Sequence, residues 1–213
     1  MVVVKTFIIT LVSGVLLGGA YVITKEPIAE ANRAALYAAY EELVPGAAEY
    51  KDMTENKELS DAVADTNNTL TQSGVYGDVT VNNLVTAVDE SGNIMGYIAD
   101  VTDHEGYGGD IEITVGYIAN ESGELKNTGI SFLSISETAG LGMNAQNPEF
   151  KDQFTGKPAM ADGSPAVLSV TKSGSAGENE INAMSGATIT SDAVTNAVNA
   201  ANMAVSAVEG GNE

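Results

Sequence analysis

The chain has 213 residues, 44% of them apolar, and sets 9 basic against 29 acidic side chains for a formal net charge of −20. That length suits one domain plus an accessory segment, and the negative charge argues against nucleic acid, whose phosphates it would repel. With no cysteine, no tryptophan and one histidine, disulfides, iron–sulfur ligation and thiol catalysis are excluded, so any chemistry is expected to ride on a cofactor.

The first element is apolar. Residues 6–24, TFIITLVSGVLLGGAYVIT, are 19 positions without a charge. A helix of that length spans roughly 28 Å, about the hydrocarbon thickness of a bilayer. No Ala-x-Ala-like cleavage site follows Ala20 and no cysteine offers a lipid anchor, so a retained single span is expected over residues 1–25. Lys5 precedes the span while Lys25 and Arg33 follow it, which leaves the positive-inside count undecided. The expected orientation is N-terminus inside, with the large domain on the extracytoplasmic side of the cell membrane. Pro27 is expected in the first turn of a new helix. There Ile28, Ala31, Ala35, Leu36, Ala39 and Leu43 recur at helical spacing up to Pro45-Gly46, a stripe read as intramolecular packing. Residues 47–80 read as a polar connector with a short helix around 59–64, so 26–80 is taken as juxtamembrane helix and connector.

From about residue 83 the pattern turns to strands. Residues 84–88 and 94–99 flank Asp89-Glu90-Ser91-Gly92-Asn93, and residues 111–118 and 125–135 flank Asn120-Glu121-Ser122-Gly123-Glu124. Two hairpins with the same Glu-Ser-Gly turn predict a twisted antiparallel sheet with one face against helices, an α+β domain over residues 81–208. The first turn resembles a calcium loop but lacks the alternate-position ligands and closing glutamate. No metal site is expected, since no carboxylate set has ligand spacing. Between the hairpins, Gly106-Tyr107-Gly108-Gly109 permits close backbone approach, and His104 is read as solvated. After the sheet, Glu137-Thr138-Ala139-Gly140-Leu141-Gly142 opens a loop, followed by a short helix near 148–154 and a strand over 166–172. A last helix is expected over 192–208, with Ser191 or Thr190 as its cap, and residues 209–213 as a tail.

Just before that helix stands Ser185-Gly186-Ala187-Thr188. Bare backbone and a hydroxyl beside unpaired helical N–H groups suit a phosphate. Ser-Gly-Ala-Thr-x-Thr-Ser resembles the flavinylation motif of the FMN-binding domain shared by the G subunit of the Rnf electron-transport complex and the C subunit of the sodium-pumping NADH:quinone reductase. Residues 137–142 resemble that family's Glu-Thr-Pro-Gly-Leu-Gly, with Ala139 in place of proline. Residues 106–108 resemble its Gly-Tyr-Gly loop, and the N-terminal span resembles that of the G subunit.

The resemblance implies FMN esterified through its phosphate to Thr188, attached by a flavin transferase that uses FAD. Ser185, Gly186, Ala187 and Thr190 would lie at the phosphate, and Tyr107, Glu137, Thr138, Gly140, Leu141 and Gly142 along the ring. It implies an electron relay without turnover of its own, partnered by membrane, iron–sulfur and flavin subunits and by lipid, in a ferredoxin:NAD⁺ oxidoreductase coupled to ion transport. The quinone-reductase C subunit and a stand-alone membrane-anchored flavin shuttle are the alternatives. A flavin-free module, with Thr188 a plain loop residue, is a further one.

Overall fold

A computed structural model describes residues 2–209, so of the expected tail over 209–213 only Glu209 is described and residues 210–213 lie outside. The chain divides into two compact units, Met1–Ala38 and Ala39–Glu213.

The first unit is helical. Helix α1 runs Val2–Leu43 without interruption, with Pro27 in its interior, so the expected restart at Pro27 is replaced by one continuous helix. Proline removes one N–H from the ladder, and the carbonyl it would have met belongs to Ile23, which is 76% exposed. Polar side chains in the apolar stretch turn back on the helix: the Thr10 hydroxyl donates to the Thr6 and Phe7 carbonyls, and that of Thr24 to Ala20. Such back-bonding keeps these two hydroxyls paired in an apolar surround. By length and composition this helix suffices to cross a membrane. Ile28, Ala31 and Ala35 are exposed, and only Ala39 and Leu43 of the stripe are buried. Leu36 is half-buried.

The second unit is built on one sheet. Strands β1 (Glu49–Asp52), β2 (Val79–Val88), β3 (Ile94–Asp103), β4 (Ile111–Ala119) and β5 (Leu125–Ser134) pair in that order, each antiparallel to the next. The two long hairpins close by the same device. The Asp89 carboxylate accepts the N–H groups of Ser91 and Asn93, and the Asn120 side-chain oxygen accepts those of Ser122 and Glu124. This side-chain mimicry of a turn explains the repeated motif.

Helix α2 (Lys57–Ser73) is capped by Asn56, whose side chain accepts the Glu58 N–H at 2.9 Å, and turns Leu59, Ala62, Val63, Thr66 and Leu70 inward. It packs with helix α4 (Thr188–Glu209) on β2 and the neighbouring strands. The core there holds Leu84, Tyr97, Ala99, Val101, Ile113, Val115, Tyr117, Val194, Ala197, Val198 and Val205. Alternate strand residues point to the opposite face, where the end of α1 lies. The Tyr40 hydroxyl donates to buried Asp100 at 2.5 Å, Thr114 donates to the same carboxylate at 2.8 Å, and Leu43 approaches Gly116. Both faces are therefore covered, not one. Helix α2 and strand β1 belong to the same compact body, Ala39–Glu213.

The C-terminal half places the site. A short helix α3 (Pro148–Lys151) runs into a 3₁₀ turn over Asp152–Phe154, β6 (Met160–Ala161) pairs with β7 (Ser164–Pro165), and β8 (Ser169–Thr171) pairs in parallel with β9 (Glu180–Asn182). Helix α4 begins at Thr188, one turn earlier than expected. Neither Ser191 nor Thr190 is its cap. The Ser191 hydroxyl donates to the Ala187 carbonyl at 2.9 Å and accepts the Met184 N–H at 3.0 Å, which places it inside the first turn.

Candidate functional site

Three loops meet at the start of α4. The loop over 104–110 carries Tyr107, the loop over 135–142 leaves β5, and the turn over 183–187 enters the helix. They enclose a cavity of about 490 Å³ lined by Tyr107, Glu137, Thr138, Leu141, Gly142, Gly186, Ala187, Thr188, Ile189 and Thr190, a size suited to a small organic ligand.

Contacts between loops fix its shape. The Gly108 N–H donates to the Glu137 carboxylate at 3.2 Å, joining the first loop to the second. The N–H groups of Leu141 and Met143 both reach the Thr138 carbonyl, at 3.1 and 3.2 Å. Gly142 lies so close to the helix that a Cβ there would stand 2.6 Å from both the Glu137 Oε2 and the Thr190 Oγ1. Gly186 has φ of +75°, and a Cβ there would stand 3.2 Å from the Leu141 Cδ2. A side chain at 186 would strain the backbone that delivers Thr188.

The lining combines open apolar side chains with free backbone donors. Tyr107, Leu141 and Ile189 are 71%, 43% and 51% exposed, and large apolar side chains left open around a concavity mark a binding surface. At the start of α4, Ala187 N–H is spent on the Met184 carbonyl and Ser191 N–H on that of Ala187. The N–H groups of Ser185, Gly186, Thr188, Ile189 and Thr190 have no backbone partner among the described residues. They surround the half-buried Thr188, whose hydroxyl makes no hydrogen bond among those residues. The partial positive charge of a 22-residue helix is concentrated at this point.

A second cavity, of about 350 Å³, adjoins the first and shares Gly186 and Thr188 with it; Lys172, Asn182 and Ser185 are among its other walls. Asp192, in the same first helical turn, has its carboxyl pushed up by burial, with the Lys172 ammonium pulling the other way. Under the Tyr107 loop, buried Asp103 is pushed up to about 6, chiefly by burial, while its Oδ1 accepts the Glu105 N–H at 2.8 Å. His104 pairs with Asp110 at 3.0 Å.

The residues singled out from sequence therefore separate into groups. Tyr107, Glu137, Thr138, Leu141, Gly142, Gly186, Ala187, Thr188 and Thr190 share one cavity, whereas Ser185 lines the adjoining one and Gly140, at φ of +78°, lines neither. Thr190 is 1% exposed, with its hydroxyl against Gly142. Ile189 and Lys172 were not anticipated. An isoleucine outside the apolar stripe of α4 is the signal for the first, while Lys172 carries no local signal because only tertiary folding brings it to Thr188.

Residues 106–202 match the family model described as "FMN-binding domain". Over this stretch, somewhat less than half of the 213 residues, the chain is similar to that family. Over 109 residues the chain is 40% identical to the G subunit of the Na(+)-translocating ferredoxin:NAD(+) oxidoreductase complex of Acetobacterium woodii, covering 51% of this chain and 48% of that protein. To the G subunit of the ion-translocating oxidoreductase complex of Methanosarcina acetivorans it is 38% identical over 123 residues, 58% of each chain. It is also 34% identical over 80 residues to the C subunit of the Na(+)-translocating NADH-quinone reductase of Vibrio anguillarum, covering 37% of this chain and 31% of that one. The chain thus spans about half the length of the G-subunit relatives it matches. All three loops of the cavity fall within, or lead into, the residues matched by that family model.

Proposed function

We propose that this chain is a single-pass membrane flavoprotein. It carries FMN on Thr188 and relays electrons as the G-type subunit of an ion-translocating ferredoxin:NAD⁺ oxidoreductase. The observation that carries the reading is the environment of the Thr188 hydroxyl. It is unpaired among the described residues, ringed by free N–H groups at a helix start, and opens on a cavity that Tyr107, Leu141 and Ile189 also line. That arrangement fits a phosphoryl group joined to a planar ring.

FMN supplies the redox chemistry, accepting and passing one or two electrons. The protein's residues bind and orient. The free N–H groups of Ser185, Gly186, Thr188, Ile189 and Thr190 at the helix end would hold the phosphodiester charge, and Lys172 adds a cation from the adjoining cavity. Tyr107, Leu141 and Ile189 cover the ring and exclude water from part of it, while Glu137 braces the Tyr107 loop. No side chain here is asked to move a substrate proton, so the protein works as a relay and not as an enzyme on its own. Attachment falls to a flavin transferase with FAD as donor. The first 38 residues anchor the domain, N-terminus inside, to the outer face of the cell membrane, where neighbouring proteins of the complex donate and accept. The longer and more identical match to the G subunits favours this assignment over the quinone-reductase relative.

Membranes of a host lacking this chain should lose ferredoxin-dependent NAD⁺ reduction. The wild-type chain should restore it and Thr188→Val should not. Full restoration by Thr188→Val would overturn the relay assignment.

A further inference from the structure

The turn that presents Thr188 is held by a side chain well outside the motif. From β9 onward each backbone donor before the turn has a definite partner. Asn182 N–H goes to the Gln153 Oε1 at 2.8 Å, Ala183 N–H to the Thr171 carbonyl at 2.7 Å and Met184 N–H to the Ser191 hydroxyl at 3.0 Å. On the edge of β9 away from β8, Gln153 does what a third strand would. Its Oε1 accepts from Asn182 and its Nε2 donates to the Asn182 carbonyl at 3.3 Å. The same Nε2 also donates to the Glu149 carbonyl at 3.2 Å, so a flipped amide would set its oxygen against two carbonyls. The base is rigid. Phe150 and Phe154, on either side of Gln153 in sequence, are 2% and 0% exposed and meet edge to face at 5.5 Å.

We propose that Gln153 is a positioning residue for flavin attachment, its amide clamping Asn182 and thereby fixing where the turn delivers the Thr188 hydroxyl. This rests on the reading of Thr188 as the attachment point. In that step the Thr188 oxygen bonds to the FMN-side phosphorus of FAD and the pyrophosphate bond breaks. AMP leaves with the electron pair, and the hydroxyl proton passes to the transferase. Attack on phosphorus needs the incoming oxygen aligned, and a displacement of about 1 Å is enough to cost on the order of 10²-fold in rate. The clamp borders a cavity of about 360 Å³ instead of lying in the packed core. Gln153→Met, which keeps the stem and volume but has no amide, is therefore compatible with folding. Gln153→Glu is closer still in shape; it keeps the acceptor for Asn182 N–H but sets an anionic oxygen against the Asn182 carbonyl.

The test uses the full chain in detergent with flavin transferase, FAD and the transferase's metal. The initial rate of covalent labelling is followed by fluorescence of the denatured band, and the label is located by peptide mass. Wild type should be labelled on Thr188. Both variants should fall roughly 10- to 100-fold in kcat, with KM for the acceptor chain and the melting temperature unchanged. Labelling of Gln153→Met and Gln153→Glu at the wild-type rate would overturn the clamp while leaving attachment standing. So would a fall that merely tracks loss of folded protein in both variants. If wild type gains no label, or gains it elsewhere than Thr188, the attachment reading itself falls and the clamp with it.

Discussion

Single residues decide whether the cavity exists. Gly142→Ala would push a methyl group to 2.6 Å from the Glu137 and Thr190 oxygens. Overpacking of this kind costs about 1–3 kcal/mol, and displacing Glu137 would also release Gly108 and the Tyr107 loop. Thermal unfolding of the variant should show the loss, and the visible spectrum of attached flavin should shift towards that of free FMN. Asp103 gives a pH signature. Its carboxyl is raised from 3.8 to about 6 by burial, so the folded state binds its proton more tightly than the unfolded chain. Its contribution to stability is fully present below about pH 4 and is lost as pH rises through 6. Asp89 and Glu124, held low by hydrogen bonds and, for Glu124, by Lys126, slope the other way. The comparison is therefore wild type against Asp103→Asn. Denaturant midpoints should show the fall between pH 4 and 6 in wild type and its absence in the variant; identical slopes would refute the assignment.

At the scale of elements, what was legible depended on how local the cause was. Both hairpins could be read because Asp89 and Asn120 close their turns with their own side chains. The extent of α2 was hidden by an outer face of Asp61, Asp65 and Thr69 and by a threonine, Thr66, within the buried stripe. β1, Glu-Tyr-Lys-Asp, has no strand signal and exists because β2 offers it an edge. The start of α4 was misplaced because Ser191 has the residue type of a cap but bonds backwards to Met184 and Ala187. The end of α1 is tied to the sheet by a buried polar cluster that no sequence pattern reveals. Burial raises the carboxyl of Asp100, while donation from Tyr40, Thr114 and Asn83 draws it down. Tyr40→Phe removes one donor and leaves the buried oxygen short of a partner, at a cost of about 1–3 kcal/mol. Urea unfolding should show a lower midpoint at unchanged slope, and no shift would mean that water or a neighbour replaces the phenol.

Across the whole molecule, an acidic domain on an apolar helix has a cavity at which a hydroxyl, free N–H groups and open apolar side chains converge. The loops that build it are some 80 residues apart in sequence. The motifs could be recognised one by one, but the adjoining cavity with Lys172 and the clamp by Gln153 could not. Thr188 is the point on which the account turns, and intact mass after denaturation tests it most directly. The chain is produced with and without Thr188→Val in a host containing a flavin transferase. Wild type should carry the mass of FMN less one water, mapped to the peptide with Thr188, and the variant should carry none. Flavin lost from wild type on denaturation, or retained covalently by Thr188→Val, would contradict the account.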